Sequence, residues 1–225
     1  MSYTPQIYAD YDDVLCETAL EFTRVLEREF GKRVPFPDIF SFDLGKSFGL
    51  SPGEVAKLMR RVHEPDVLAA MEPVESAVEV LKSWRDSGCE VSVITGRPAY
   101  SRDASQEWLD RHEVPYSRLQ FVDKYSRANP HEDGIRVLSL DELCARKFCL
   151  AIEDAPAMVK TLADRTRMPV AMLARPWNAA PLALRHGAAR RVARCRNWQE
   201  ILARFPTPAR QPGQWEMAPG VTIAP

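Results

Sequence analysis

An α/β protein with a mostly parallel sheet covered on both faces is the fold class this sequence predicts, on three observations. Short apolar runs with strand character alternate with stretches of helical spacing along most of the chain. Those runs end in polar tips: Asp10 with Asp12, Thr95, Lys124, Glu153 with Asp154, and Arg175 with Asn178. The chain has 225 residues, 45% hydrophobic and 27% charged, enough to bury one good core and a small accessory lobe. The expected architecture is a three-layer sandwich, with the strand tips gathered at one rim where ligands bind.

The first strand is the run from Gln6 into Asp10-Tyr11-Asp12-Asp13. Leu20, Phe22, Val25, Leu26 and Phe30 then recur at helical spacing from Glu17 up to Gly31. An irregular aromatic segment carries Phe40, Phe42 and Phe48. Ser51-Pro52-Gly53-Glu54 is a capping-box signature that opens a helix through about Val62. A short helical turn over Asp66 to Met71 completes a helical insert, 16–72, behind the first strand. A helix from Glu72 carries Ala77, Val78, Val80, Leu81 and Trp84, and the β-branched run Cys89 to Ile94 enters Thr95-Gly96-Arg97-Pro98.

Further along, Arg102 to His112 is predicted as a helix and Leu119 to Asp123 as a strand tipped by Lys124. Asn129 to Gly134 is predicted as a loop and Leu138 to Arg146 as a helix opened by Ser139 and Glu142. Strands follow at Phe148 to Ile152, Pro169 to Leu173 and Arg191 to Ala193, with helices at Ala157 to Ala163 and Asn197 to Phe205. The expected division is a core of 1–15 with 73–206, a helical cap at 16–72, and an irregular proline-bearing tail at 207–225.

Thirty basic and 31 acidic residues leave a formal net charge of -1, so bulk electrostatics supplies no reason for a nucleic-acid polymer or a membrane surface as partner. No apolar run approaches bilayer length and no signal-peptide pattern opens the chain, which makes the cytoplasm the expected compartment. Five cysteines at irregular spacings, without a CxxC pair, suggest reduced thiols rather than a disulfide framework or zinc site. Oligomeric state is not legible.

The chemistry concentrates at the tips. Asp10 and Asp12 would share a face of an extended strand, where their repulsion needs a cation or a proton; the plain alternative is a polar turn after an edge strand. Asp10 and Asp154, from different strands, could hold a hard cation such as Mg²⁺ with water and a substrate phosphate. A carboxylate held this way can attack phosphorus. Thr95 and Lys124 could donate hydrogen bonds and charge to phosphoryl oxygens.

These stretches resemble the four motifs of the haloacid dehalogenase superfamily, in order: Asp10-Tyr11-Asp12-Asp13-Val14, Ile94-Thr95-Gly96, a lysine, and Ile152-Glu153-Asp154. The resemblance implies a Rossmann-like core and Mg²⁺ dependence. It implies Asp10 as nucleophile and metal ligand, and Asp12 as general acid/base that lends its backbone carbonyl to the metal. Thr95 would bind the phosphoryl group, and Asp154 would ligate the metal with Glu153 nearby. Within the superfamily the chain is most similar to the C-type 5′-nucleotidases, the 5′(3′)-deoxyribonucleotidases, through Met71-Glu72-Pro73-Val74, Glu107-Trp108-Leu109, Val122-Asp123-Lys124 and the doubled acid. It departs from them in Gly96-Arg97-Pro98, where Ser-Pro is common, in an insertion at about 125–147, and in Asp13, where the superfamily usually has glycine.

Two lysines compete for the third motif. Lys147 precedes its strand and would lie roughly 20 Å from Asp154, whereas Lys124 follows its strand at the active rim. Gly96 and Arg97 join Thr95 and Lys124 as candidate substrate-binding residues, with a solvent-facing turn arginine as the equal alternative for Arg97. Arg127 is a possible phosphate partner, an exposed loop arginine the better reading. Phe40, Phe42 and Phe48 are expected in the lobe's own core rather than on a substrate, His63 and His112 as surface or packing residues, and Trp177 with Asn178 close to the rim. The expected activity is Mg²⁺-dependent hydrolysis of a small phosphomonoester, with nucleotides as candidates. A phosphotransferase or mutase, or a non-catalytic phosphometabolite-binding module, is the alternative.

Overall fold

The computed structural model describes residues 4–125, 131–132 and 134–206. Among these, eight strands form one sheet: β1 (Gln6–Asp10), β2 (Glu90–Thr95), β3 (Arg118–Val122), β4 (His131–Glu132), β5 (Ile135–Leu138), β6 (Leu150–Glu153), β7 (Val170–Leu173) and β8 (Val192–Cys195). Their spatial order is β4-β5-β3-β2-β1-β6-β7-β8. All pairs are parallel except β4 with β5.

The chain moves outward from β1 through β2 and β3 to β5, then returns to β6 on the other side of β1. The reversal lies at β1, which pairs with both β2 and β6. The crevice beyond the strand ends at such a point is where open α/β sheets take ligands.

Alternation along β1 sends Ile7 and Ala9 to one face and Tyr8 to the other, and each face has its own apolar cluster. The first face carries α5 (Ala77–Asp86), α6 (Arg102–Arg111) and α9 (Trp198–Arg204). Their buried Trp84, Trp108 and Trp198 donate indole N–H groups to the carbonyls of Phe205, Met71 and Val14. Burying a tryptophan this deeply requires such a partner. The second face carries α7 (Leu140–Cys144) and α8 (Pro156–Arg165) through Leu143, Met158, Val159 and Leu162.

Between β1 and α5 lie α1 (Thr18–Phe30), α2 (Leu44–Phe48), α3 (Pro52–Arg61) and α4 (Pro65–Ala70). α1 ends at Gly31, whose φ of 63° places it in the left-handed region that glycine tolerates best. The capping box opening α3 is formed on both sides: the Glu54 amide donates to the Ser51 hydroxyl and the Ser51 amide to the Glu54 carboxylate. Phe22, Leu26, Phe48, Leu58 and Leu68 belong to the same apolar cluster as Ile7, Trp84 and Trp198, so the insert shares the core's first face. Its two ends are tied together, the Glu17 amide donating to the Glu72 carbonyl and the Val74 amide to the Leu15 carbonyl.

That tie corrects one expectation. The helix predicted from Glu72 starts only at Ala77, because Glu72 and Val74 spend backbone groups on the turn after β1 and Ser76 sits at φ 63°. The loop predicted over Asn129 to Gly134 contains β4, and the helix predicted from Leu138 begins at Leu140, because Ile135–Leu138 adds a short parallel strand beside β3. Phe48 is buried, but Phe40 and Phe42 are exposed at 65% and 44%, so neither belongs to a lobe core. The described cysteines are all free thiols. No helix among the described residues is long and apolar enough to cross a membrane. Arg127 and the tail expected at 207–225 lie outside the described residues.

Candidate active site

Asp10 closes β1, Thr95 closes β2, Lys124 follows β3, and Glu153 closes β6 with Asp154 next to it, so parallel pairing alone brings four predicted tips to one rim. Carboxylate oxygens of Asp10, Glu153 and Asp154 lie within 4.8 Å of one another, and all three residues are buried. Lys124 Nζ bridges two of them, 2.5 Å from Asp10 Oδ1 and 3.0 Å from Glu153 Oε2. Its side chain is only 2% exposed. Lys147, the rival, is exposed.

Each acid has a distinct environment. Glu153 is saturated by protein donors: Tyr8 Oη and Lys124 Nζ on Oε2, and the amides of Asp154 and Ala155 on Oε1. Asp154 is oriented by Trp177, whose indole donates to Oδ2 at 2.9 Å, and by Asn178, whose amide donates to its carbonyl. Burial, with the charge of Glu153 second, pushes the Asp10 and Asp154 carboxyls well above the usual carboxylate range. Burial alone would discharge Lys124, but Asp10 and Glu153 outweigh it and raise its pKa.

Asp12 does not continue the strand. β1 ends at Asp10 and the chain turns, the Leu15 and Cys16 amides both donating to the Tyr11 carbonyl. The Asp12 carboxylate accepts from Arg97 Nε at 2.9 Å and Nη2 at 2.7 Å, and from the Thr18 hydroxyl at 2.7 Å. Thr95 Oγ1 lies 3.5 Å away and accepts from the Arg97 amide. Burial opposes the Asp12 charge, yet Arg97 holds this carboxyl below its ordinary value.

Arg97 itself is buried, donates to the Ser105 hydroxyl, and lies 3.9 Å over the Tyr11 ring. A solvent-facing turn arginine does not describe it; the guanidinium is engaged with Asp12. Gly96 beside it leaves no room for a side chain, since a Cβ there would meet Tyr125 Cε2 at 2.7 Å and Lys124 Cδ at 3.2 Å.

Asp13 explains its own departure from glycine. With φ 56° it occupies the left-handed region, which aspartate tolerates, and its carboxylate accepts from the Ala19 amide in the first turn of α1. Its carbonyl accepts from Arg175 Nε. Burial pushes its carboxyl up to about 8, against the pull of Arg175. Cys16 is buried and its thiol pushed up, so it is no activated nucleophile.

A chamber of about 320 Å³ opens over Asp12, Asp13, Gly96 and Arg97, walled by the insert on one side and by Tyr125 and Trp177 on the other. His63 is buried against it, Nδ1 paired with the Met59 carbonyl and the ring edge-on to Tyr100. His112 packs on Trp108. Sequence spacing could not have revealed the Arg97–Asp12 pair, the Trp177–Asp154 bond or the chamber position of Phe42 and His63.

Residues 4–128 match the family described as 5′ nucleotidase, deoxy (pyrimidine), cytosolic type C protein. A Halalkalibacterium halodurans protein provisionally named a nucleotidase is 24% identical over 194 residues, spanning 86% of this chain and 89% of that protein. A haloacid dehalogenase-like family hydrolase from Streptococcus pneumoniae shares the fold with a TM-score of 0.57 at 14% identity, over 89% of this chain and 98% of that one. The CbbY protein of Rhodobacter sphaeroides, solved in complex with phosphate, does so with a TM-score of 0.53 at 16% identity, over 80% and 91%. With more than half its length matched by the family, the chain belongs to the cytosolic type C 5′-nucleotidases, enzymes of the phosphatase class on the haloacid dehalogenase fold.

Proposed function

We propose that the chain is a Mg²⁺-dependent phosphomonoester hydrolase working through an aspartyl-phosphate on Asp10. The observation that carries this reading is a cluster of three buried carboxylates with a single lysine paired to two of them, an excess of negative charge in a low-dielectric site. Such an all-oxygen set fits a hard divalent cation. Asp10 and Asp154, with the backbone carbonyl of Asp12, would hold it; when bound it supplies charge neutralisation to the phosphoryl oxygens. The saturated Glu153 is instead an orienting partner for Lys124.

In the first step an Asp10 oxygen attacks phosphorus, the ester P–O bond breaks, and the small protonated fraction of Asp12 gives its proton to the leaving oxygen. In the second, Asp12 takes a proton from water, whose oxygen attacks the same phosphorus and releases inorganic phosphate and the Asp10 carboxylate. Lys124 and the Thr95 hydroxyl stabilise the transferring phosphoryl oxygens, with Gly96 letting the chain after β3 approach closely. Arg97 acts through Asp12, fixing its orientation and favouring its ionised form, the one needed for the second step. The 16–72 insert serves as the cap over the leaving group, and a small phosphorylated molecule is the substrate.

The test is phosphate release from 4-nitrophenyl phosphate and a panel of small phosphomonoesters. Turnover should require Mg²⁺, stop with EDTA, and vanish in Asp10→Asn. An Asp10→Asn protein as active as the wild type would refute the assignment.

A further inference from the structure

The segment that follows β7 holds the proposed metal site from two sides. Trp177 and Asn178, in the 3₁₀ turn Pro176–Asn178, fix Asp154 at both ends: the indole N–H donates to Oδ2 at 2.9 Å and the Asn178 amide to the main-chain carbonyl at 2.8 Å. Asn178 is itself anchored, donating also to the Leu173 carbonyl and accepting from Arg194 Nη1, each at 2.8 Å. Arg175, just before the turn, reaches the other side of the site. Its Nε donates to the Asp13 carbonyl at 2.8 Å, and its Nη1 lies 3.3 Å from the Glu17 carboxylate. One short segment therefore grips both the acid that follows β6 and the turn that follows β1.

The donors to the three acids differ in charge. Lys124 divides its charge between Asp10 and Glu153. Asp154 Oδ2 is met instead by a neutral indole N–H, which orients the carboxylate and leaves its negative charge for a cation. Carboxylate ligands are held by such bonds, and losing one costs about ten-fold to a hundred-fold in metal affinity. The need for a hold is acute here, because oxygens of Asp10 and Glu153 lie within 4.8 Å of the Asp154 carboxylate and like charges repel.

Trp177 is in turn seated by the insert. Phe36, which opens the 3₁₀ turn Phe36–Asp38 after Pro35, meets the indole edge-on, with centroids 5.8 Å apart and planes at 79°. The Arg175 guanidinium carbon lies 6.0 Å from the centroid of the same phenyl ring. Phe36 is half-buried and packs against the apolar cluster on the sheet's first face. We propose that Trp177 is a positioning residue for the metal ligand Asp154, and that Phe36, by seating Trp177, links the packing of the 16–72 insert to metal affinity. This rests on the Mg²⁺ reading of the site and extends it to residues outside the acid cluster.

The experiment titrates the full chain with MgCl₂ by calorimetry, beside thermal unfolding, for the wild type, Trp177→Phe, Phe36→Ala and Trp84→Phe. Trp177→Phe keeps an aromatic ring and removes the N–H. Its Mg²⁺ affinity should fall by about ten-fold to a hundred-fold, and raised Mg²⁺ should restore its turnover of 4-nitrophenyl phosphate. Phe36→Ala leaves the indole and the carboxylate in place and should cost about three-fold to ten-fold, the worth of an aromatic pair expressed as an equilibrium ratio. Trp84→Phe removes another buried indole donor, the one on α5 that serves the Phe205 carbonyl. It should lower Tm and hold Mg²⁺ affinity at the wild-type value.

A Trp177→Phe protein within two-fold of the wild type in Mg²⁺ affinity would overturn the proposal and leave the Mg²⁺ reading intact. An equal loss in Trp84→Phe would do the same, since it would mark general destabilisation. Unchanged affinity in Phe36→Ala would refute the link from the insert, and that variant decides alone should Trp177→Phe not fold. A wild type that binds no Mg²⁺ would sink the metal reading itself, and this inference with it.

Discussion

Gly96→Ala separates the site's chemistry from its stability. Gly96 lies outside the left-handed region, so alanine meets no backbone penalty there and should gain about 0.4–1 kcal/mol through the unfolded chain. The new methyl would sit 2.7 Å from Tyr125 Cε2 and 3.2 Å from Lys124 Cδ, against about 3.5–4.0 Å for comfortable carbon contacts. The half-exposed Tyr125 ring can swing outward. Lys124 cannot move freely, because its ammonium is fixed between Asp10 and Glu153 at 2.5 and 3.0 Å. A shift of about half an ångström there should cost roughly ten-fold in kcat/KM, given about a hundred-fold for a misplacement of 1 Å. Crowding of about 1–3 kcal/mol matches or outweighs the gain in the unfolded state, so stability should fall by no more than about 3 kcal/mol. The assay is kcat/KM on 4-nitrophenyl phosphate beside thermal unfolding, repeated with Tyr125→Ala added to isolate the Lys124 contribution. A Gly96→Ala protein within two-fold of the wild type in kcat/KM would refute the claim that close approach of Lys124 matters.

Other perturbations test separate parts of the account. Arg97→Met removes the cation that holds Asp12 ionised; it should cost about 3 kcal/mol in denaturant unfolding, as breaking a buried pair does. It should also move the acidic limb of the kcat–pH profile to higher pH, and an unmoved limb would remove Arg97 from the Asp12 story. Away from the site, the Arg196 amide, with the Arg196 and Arg204 side chains, holds Glu200 at about 2, below its ordinary 4.5. The stability from that depressed value is fully present above the ordinary value and is lost as pH falls toward 2. The gap between wild type and Glu200→Gln should therefore be wider in unfolding at about pH 7 than at about pH 3.5; an equal gap would contradict the assignment.

The legible part of this fold is the part that depends on local pattern. The buried β1, β2, β6 and β7 announce themselves as apolar runs, and the capping boxes at Ser51 and Ser139 mark true helix starts. Because parallel strands deliver their C-terminal ends to one rim, reading the strands was enough to bring Asp10, Thr95, Lys124 and Asp154 together. β5 is not legible because its four residues, with Arg136 exposed and Leu138 buried, are too few to establish a strand period. The late start of α5 was hidden because the Val74 amide answers to Leu15, 59 positions earlier. Arg97 was ambiguous for the same reason: its fate depends on Asp12, 85 residues away, and on a turn that takes Asp12 out of the strand. Phe42 belongs to a chamber whose opposite wall comes from the chain after β3, a pairing that no periodicity encodes.

The central claim, that Asp10 carries the phosphoryl group and Asp12 the proton, is tested most directly with Asp12→Asn and 4-nitrophenyl phosphate, whose leaving group needs no acid. Rapid mixing with Mg²⁺ should release one burst of 4-nitrophenolate per protein molecule and then nearly stop. Peptide mass spectrometry of the quenched protein should find a phosphoryl adduct on the segment holding Asp10. Steady turnover without a burst, or an adduct on any other residue, would contradict the account.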